Sequence, residues 1–276
     1  MHPLPFENLA EWRHFLARAD IPILAESVAC LAELRANESD ARHIAGTILD
    51  DPLLCVRLLA HFAQKRSRRQ ITDITTIEGT ILMLGLEKFY TAFESVPTVE
   101  GLFAEQPEAL AGLMRVVTRA RNASNWGRDW AARRNDHAYE EITISALLHD
   151  IAEMLVWCFQ PSLALELKTL QEMRPTLRSR VAQKAVLGIQ LRDLQLALVR
   201  EWHLPELIAT LMDEAHANDP RVRNVALAVN LARHADHGWN DPALTDDFTA
   251  IGALLHLEPE RVRELVIPAA ETELEG

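Results

Sequence analysis

Apolar residues recur along this chain at helical spacing, and long stretches that alternate apolar and polar residues are absent. Capping and breaking residues mark where individual helices begin and end. Asp40 is placed to cap a helix over residues 41–49, and Asp51 followed by Pro52 predicts the start of the next helix. Thr76 is placed to open a further helix that Gly85 closes. The pattern predicts an all-α fold.

Two helical parts are predicted, with a candidate join between them. The stretch 97–107 contains Pro97, Gly101 and Pro107, which are residues typical of a connection. We therefore expect an N-terminal helical subdomain over residues 1–105 and a second helical part over residues 106–276. The two parts are expected to share one interior and to form one continuous structural unit.

Composition narrows the class of protein. The chain has 276 residues, 49% of them hydrophobic, and a net charge of −12. The negative charge argues against DNA, RNA and membrane surfaces as partners, because anionic partners need a positive surface. Cys30, Cys55 and Cys158 lie far apart in apolar runs, so we expect buried reduced thiols. The sequence shows no signal peptide and no long uncharged apolar stretch, which predicts a cytoplasmic protein.

The most informative passage is 145–153, where His149 and Asp150 interrupt an apolar run that we expect to be helical. A His-Asp step on an apolar helix is what a metal phosphohydrolase uses to hold its ions. Such an ion needs several imidazole and carboxylate ligands that converge on one point. Most of the further ligands are missing from this sequence, and so are nucleophile elbows and phosphate-binding glycine loops.

Two further features are candidates for binding. The basic run 65–69 is predicted either to dock an acidic partner or a phosphate-bearing ligand, or to be a solvated loop; its cations are Lys65, Arg66, Arg68 and Arg69. Trp126 and Trp130 lie one helical turn apart on an arginine-rich stretch. Arginine beside indole can stack on a nucleobase and bind a phosphate, whereas a tryptophan pair at this spacing also fits core packing.

Four passages, taken in order, resemble the HDOD (HD-related output domain) family, a degenerate branch of the HD phosphohydrolase superfamily. They are 21–24 with 44–60, then 74–86, then 146–152, and finally 186–188 leading to 202–205. The resemblance implies that residues 106–276 form an HD-like helical core preceded by the N-terminal subdomain. It also implies a bacterial signal-transduction protein that regulates others through protein–protein interaction.

The same resemblance leaves only fragments of a metal site. His149, Asp150 and His216 match positions of the HD motif and its later histidine. Leu191 stands where relatives often have a further histidine, and Arg233 stands where a closing aspartate is expected. The resemblance therefore implies no metal, no cofactor and no catalysis.

An ion pair in place of the metal is a sharper hypothesis for the same positions. If Arg233 occupies the last ligand position and Arg119 lies near the first, a guanidinium could pair with Asp150 where the metal charge once stood. Two alternatives stay open at this point. One is a metal-dependent phosphohydrolase with the reduced ligand set His149, Asp150 and His216, and the other is a nucleotide-binding sensor without turnover.

Overall fold

Helices account for nearly all regular structure in the described part of the chain. The structure is a computed structural model and describes residues 6–65 and 75–267. Its helices are α1 Leu9–Leu16, α2 Ala25–Ala36, α3 Ala41–Asp50, α4 Pro52–Lys65, α5 Ile77–Leu84, α6 Leu86–Phe93, α7 Val99–Leu102, α8 Pro107–Arg133, α9 Tyr139–Leu147, α10 Ile151–Phe159, α11 Pro161–Met173, α12 Ser179–Leu187, α13 Leu191–Glu201, α14 Glu206–Leu211, α15 Pro220–Ala235, α16 Leu244–Leu255 and α17 Pro259–Val266. Within the described ranges no strand forms apart from an isolated bridge between Ile23 and Thr98. The predicted all-α fold is confirmed.

The local signals in the sequence act as caps in the structure. The Asp40 side chain accepts a hydrogen bond from the His43 backbone N–H at the start of α3 (3.1 Å). Thr76 caps α5 in the same way, and Gly85 ends that helix with φ of 87°. Asp51 accepts hydrogen bonds from the first backbone N–H groups of α4. Each of these residues satisfies groups that a helix end would otherwise leave unpaired.

A large hydrophobic core contains residues from both predicted parts. It includes Trp12, Phe89, Leu148 and Leu198, all fully buried, and so it extends from α1 to α13. Trp12 on α1 donates its indole N–H to the carbonyl oxygen of Leu187 at the end of α12 (3.3 Å). The two parts therefore pack on each other across many residues of sequence. The boundary at residue 105 itself stays a prediction.

A second core lies between the far end of α8 and the last three helices. Trp130, Ile142, Val225 and Ile251 are among its buried members. α8 has 27 residues and contributes to both cores. Because Arg115 pairs with Asp236 at one end of α15 and Arg134 bonds to the Pro220 carbonyl oxygen at the other, α8 and α15 run antiparallel. This pairing places the C-terminal half of α15 beside the His-Asp step.

Among the described residues, one stretch, Tyr139–Phe159, is long and apolar enough to cross a membrane. Its most apolar window is 83% buried inside the protein. It packs as an interior helix pair of this fold, as core helices of similar composition do. The expected cytoplasmic location stays a prediction.

Candidate functional site

His149 and Asp150 lie in a turn between two helices, which corrects the expectation that they lie on one continuous helix. α9 ends at Leu147 and α10 begins at Ile151. Across the gap the backbone uses tighter i→i−3 hydrogen bonds, from the His149 N–H to the Ala146 carbonyl oxygen (3.4 Å) and from the Ile151 N–H to the Leu148 carbonyl oxygen (3.1 Å). The α-helical hydrogen bonding is therefore interrupted at His149 and Asp150.

Gln195 on α13 holds this turn in place. Its Oε1 accepts a hydrogen bond from the Ala152 N–H (2.9 Å), and its Nε2 donates to the Leu148 carbonyl oxygen (3.0 Å). The Gln195 side chain is buried, so both bonds are made away from bulk water. One amide thus satisfies a backbone donor and a backbone acceptor on either side of the turn. The sequence carries no signal for this role, because a glutamine on a helix is ordinarily a surface residue.

Two arginines meet the Asp150 carboxylate, as the ion-pair hypothesis requires. Arg233 donates a hydrogen bond from Nη2 to Asp150 Oδ1. Arg119 Nη2 lies 3.8 Å from Asp150 Oδ2, and His149 Nδ1 lies 3.3 Å from Oδ1. The Asp150 side chain is only 8% exposed, compared with 43% for Arg233. Both carboxylate oxygens therefore face nitrogen atoms of neighbouring side chains.

These neighbours keep Asp150 ionised. Burial alone would raise the pKa of the Asp150 carboxyl, but the Arg233 guanidinium, the His149 ring and Arg119 together hold that pKa well below its usual range. In turn, Asp150 raises the pKa of Arg233 above its ordinary value. The pair is thus fully charged at neutral pH.

The ion pair belongs to a larger network that joins three helices. Arg119 on α8 makes two hydrogen bonds to the Glu153 carboxylate on α10 (3.0 and 3.1 Å), and its Nη1 lies 3.7 Å from Asp236. Arg115 also donates to Asp236, which follows α15 (3.0 Å). The positive charges of three arginines therefore equal in number the negative charges of three carboxylates. Glu153, Asp236 and Arg115 were not predicted as members of this site.

The described residues do not fit a metal ion at this position. No group of three or more His, Cys, Asp and Glu side chains among them is arranged to hold one. His216, the third residue of the alternative ligand set, lies exposed on a short 3₁₀ turn, Glu214–His216. Leu191 is buried and offers no ligand atom. The donor atoms of Asp150 already face guanidinium groups, which carry positive charge and no acceptor lone pair.

The candidate tryptophan pair is not brought to this site. Trp130 is buried in the second core, and the half-buried Trp126 packs edge to face against Trp239 with ring centroids 6.2 Å apart. The two indoles therefore do not form a joint stacking surface. In the basic run, Lys65 is the last residue of α4; its side chain, together with Arg66, Arg68 and Arg69, lies outside the described residues.

The fold is all-α, and the carboxylate of its His-Asp step contacts two arginines. The family model of the HDOD domain matches residues 21–218, so the chain belongs to the HDOD family. Arg119 and Asp150 lie within the matched residues, whereas Arg233 and Asp236 lie beyond them. The family match therefore covers one side of the ion network, and α15 supplies the other.

Solved structures share this fold. The MmoQ response regulator of Methylococcus capsulatus superposes with a TM-score of 0.68 at 17% identity, covering 91% of this chain and 100% of its own. A virulence factor of Campylobacter jejuni superposes with a TM-score of 0.65 at 16% identity, covering 95% of this chain and 98% of its own. At these identities the likeness shows the fold alone. Among curated proteins, none matches the sequence.

Proposed function

We propose that this member of the HDOD family is a non-catalytic regulatory protein of bacterial signal transduction that acts by binding other proteins. The observation that carries the proposal is the contact of Arg233 and Arg119 with Asp150. The response-regulator role given for the structurally similar Methylococcus protein agrees with a place in signalling.

The argument against metal-dependent hydrolysis is electrostatic. A catalytic divalent ion needs anionic or neutral donors around it and an open position for substrate or water. In this protein the pKa of Arg119 is raised because, although burial lowers it, Glu153, Asp150 and Asp236 favour the charged form. A dication beside two permanently charged guanidinium groups would be repelled, and it would have to displace them from Asp150. The network supplies positive charge without supplying a Lewis acid.

The metal content of the purified protein tests this part of the proposal. Wild type, His149→Ala and Asp150→Ala would be compared by inductively coupled plasma mass spectrometry, with the exposed His43→Ala as the matched control. We expect far less than one ion per chain in all four proteins, and no hydrolysis of a phosphodiester after Mn²⁺ is added. A stoichiometric metal lost from both site variants and retained by His43→Ala would overturn the proposal, provided that circular dichroism shows the variants to be folded.

The binding part is tested in cells that produce the protein naturally. Photochemical cross-linking from surface positions is expected to join the chain to other polypeptides, which mass spectrometry can identify. If no position on the surface gives a cross-linked polypeptide, the protein does not act by binding other proteins.

A further inference from the structure

The connection between α11 and α12 has an unusual charge for this protein. Between Met173 and Arg192 the sequence contains no Asp or Glu, whereas the chain as a whole carries a net charge of −12. Four cations of this stretch lie exposed on the connection and on α12: Arg174, Arg178, Arg180 and Lys184. The local surface is therefore positive on an otherwise acidic molecule.

Two apolar side chains lie among these cations. Met173, the last residue of α11, is 76% exposed, and Val181 on α12 is 48% exposed. On α12, Arg180 and Lys184 are four residues apart and Val181 and Lys184 are three apart, so all three share one face. We call this surface the basic ridge, consisting of Met173, Arg174, Arg178, Arg180, Val181 and Lys184.

The charges of the basic ridge are not neutralised within the described structure. Arg174, Arg178 and Arg180 make no ion pair there, and Lys184 donates to the backbone carbonyl oxygen of Gly188, which leaves its charge in place. Glu172, the acidic residue next to the ridge in sequence, already pairs with Lys168 (3.0 Å). Acidic groups that could balance the ridge must come from outside this surface.

The α12 part of the ridge is anchored to the large core. Ala182 and Val186 on the opposite face of α12 are buried in the large core. Leu177 packs against the same core from the connection itself. Side chains on a fixed helix face lose less freedom on binding than side chains on a mobile loop, so such a face can recognise a partner at lower entropic cost.

We propose that the basic ridge docks an acidic segment of a partner protein, with an apolar side chain of that segment lying between Met173 and Val181. This inference deepens the proposed protein-binding function and rests on it. Charge complementarity is the argument: the ridge offers cations without an ion pair in the described structure, together with two exposed apolar side chains, and opposite charges steer encounter and fix orientation. A short acidic segment matches a ridge of this size. Nucleic acid or an anionic membrane would extend past it and meet the acidic remainder of the surface.

Site-specific photo-cross-linking locates the docking surface. A photoreactive residue at Ala185, which is exposed beside Lys184, would be compared with one at the exposed Arg42 on α3. We expect Ala185 to capture a polypeptide whose cross-linked segment is rich in Asp and Glu and contains an apolar residue. Capture from Arg42 and not from Ala185 would overturn the ridge assignment and leave the proposed function standing. Capture at Ala185 of nucleic acid, or of a segment without acidic residues, would also overturn it.

A binding titration then tests the charges. The cross-linked segment, made as a fluorescent peptide, would be titrated against wild type, the Arg178→Glu/Arg180→Glu double variant and the control Arg42→Glu/Arg223→Glu, which changes the net charge equally at exposed sites on α3 and α15. We expect affinity about tenfold weaker in the ridge variant only, and a loss of this difference at high salt. Equal affinities would overturn the proposal. So would a wild type that binds phosphatidylglycerol vesicles in preference to the peptide.

Discussion

The Asp150 carboxylate is expected to stabilise the fold, and Asp150→Asn tests this because it removes the charge and keeps the shape. The substitution leaves Arg233 without the carboxylate that it contacts. Removing one partner of a buried ion pair costs about 3–5 kcal/mol. Since Arg233 is 43% exposed and can be solvated, and Arg119 retains Glu153, we discount this cost to about 2–3 kcal/mol.

Urea unfolding followed by circular dichroism at neutral pH measures the cost. Glu214→Gln is the matched control, because Glu214 pairs with Arg192 at 2.8 Å and both side chains are about half exposed. A carboxylate lost from an exposed pair should cost less than about 1 kcal/mol. The burial of Asp150 is what separates the two predictions.

The difference between wild type and Asp150→Asn should depend on pH in one direction. Burial alone would raise the pKa of Asp150, but Arg233, His149 and Arg119 hold it below the ordinary value of 3.8. A carboxyl whose pKa is lower in the folded state contributes stability above its unfolded pKa, and that contribution is lost as the pH falls through the folded pKa. The difference should therefore be largest at neutral pH and shrink below about pH 5. A cost no larger than that of Glu214→Gln, or a difference that grows in acid, would refute the reasoning.

Four further substitutions test the packing of the protein by urea or thermal unfolding. Gln195→Ala removes the amide that bridges the turn and should cost about 2–3 kcal/mol, since two buried backbone groups lose their partner; an unchanged midpoint would contradict this. Asn224 is fully buried, and its amide has no hydrogen-bond partner among the described residues, so Asn224→Leu should raise Tm by about 2–4 °C, and a lower Tm would contradict it. Gly112→Ala places a methyl group against the Trp157 ring and should cost about 1–3 kcal/mol, whereas Gly46→Ala, with open space around it, should gain up to about 1 kcal/mol. Equal effects at the two glycines would show that the Trp157 ring moves aside without a cost in the free energy of unfolding.

Helix ends were predictable because their causes are local. Asp40 and Thr76 cap the helices that follow them, and Gly85 adopts the positive φ that ends α5. The turn at His149 was not predictable in the same way. The stretch 139–159 is mostly apolar, and the side chain that bridges its break, Gln195, lies about forty residues further along the chain. A turn that is stabilised by a tertiary contact cannot be predicted from the local pattern of apolar and polar residues.

The candidate site shows the same difference between features that the sequence predicts and features that depend on tertiary contacts. The contact of Arg233 with Asp150 could be anticipated because the resemblance to the HDOD family suggested a ligand position for each residue. Glu153 and Asp236 could not, because their contacts depend on the antiparallel packing of α8 and α15 and on the direction in which α10 leaves the turn. His216 was a weak candidate because matching by sequence order says nothing of exposure, and its side chain faces solvent.

The contact of two arginines with Asp150 decides what this position can do. A bound ion exchanges its open ligand with solvent or substrate, whereas a guanidinium held by carboxylates from α10 and from the end of α15 is a fixed cross-link between helices. We therefore expect the network to stabilise the fold. Under the proposed function, we expect partner binding at a surface whose charges are not paired within the described structure. The basic ridge on α11 and α12 is such a surface, and it shares no residue with the Asp150 network. Ridge variants should therefore lose partner binding at unchanged stability, and Asp150→Asn should lose stability while the folded protein still binds its partner.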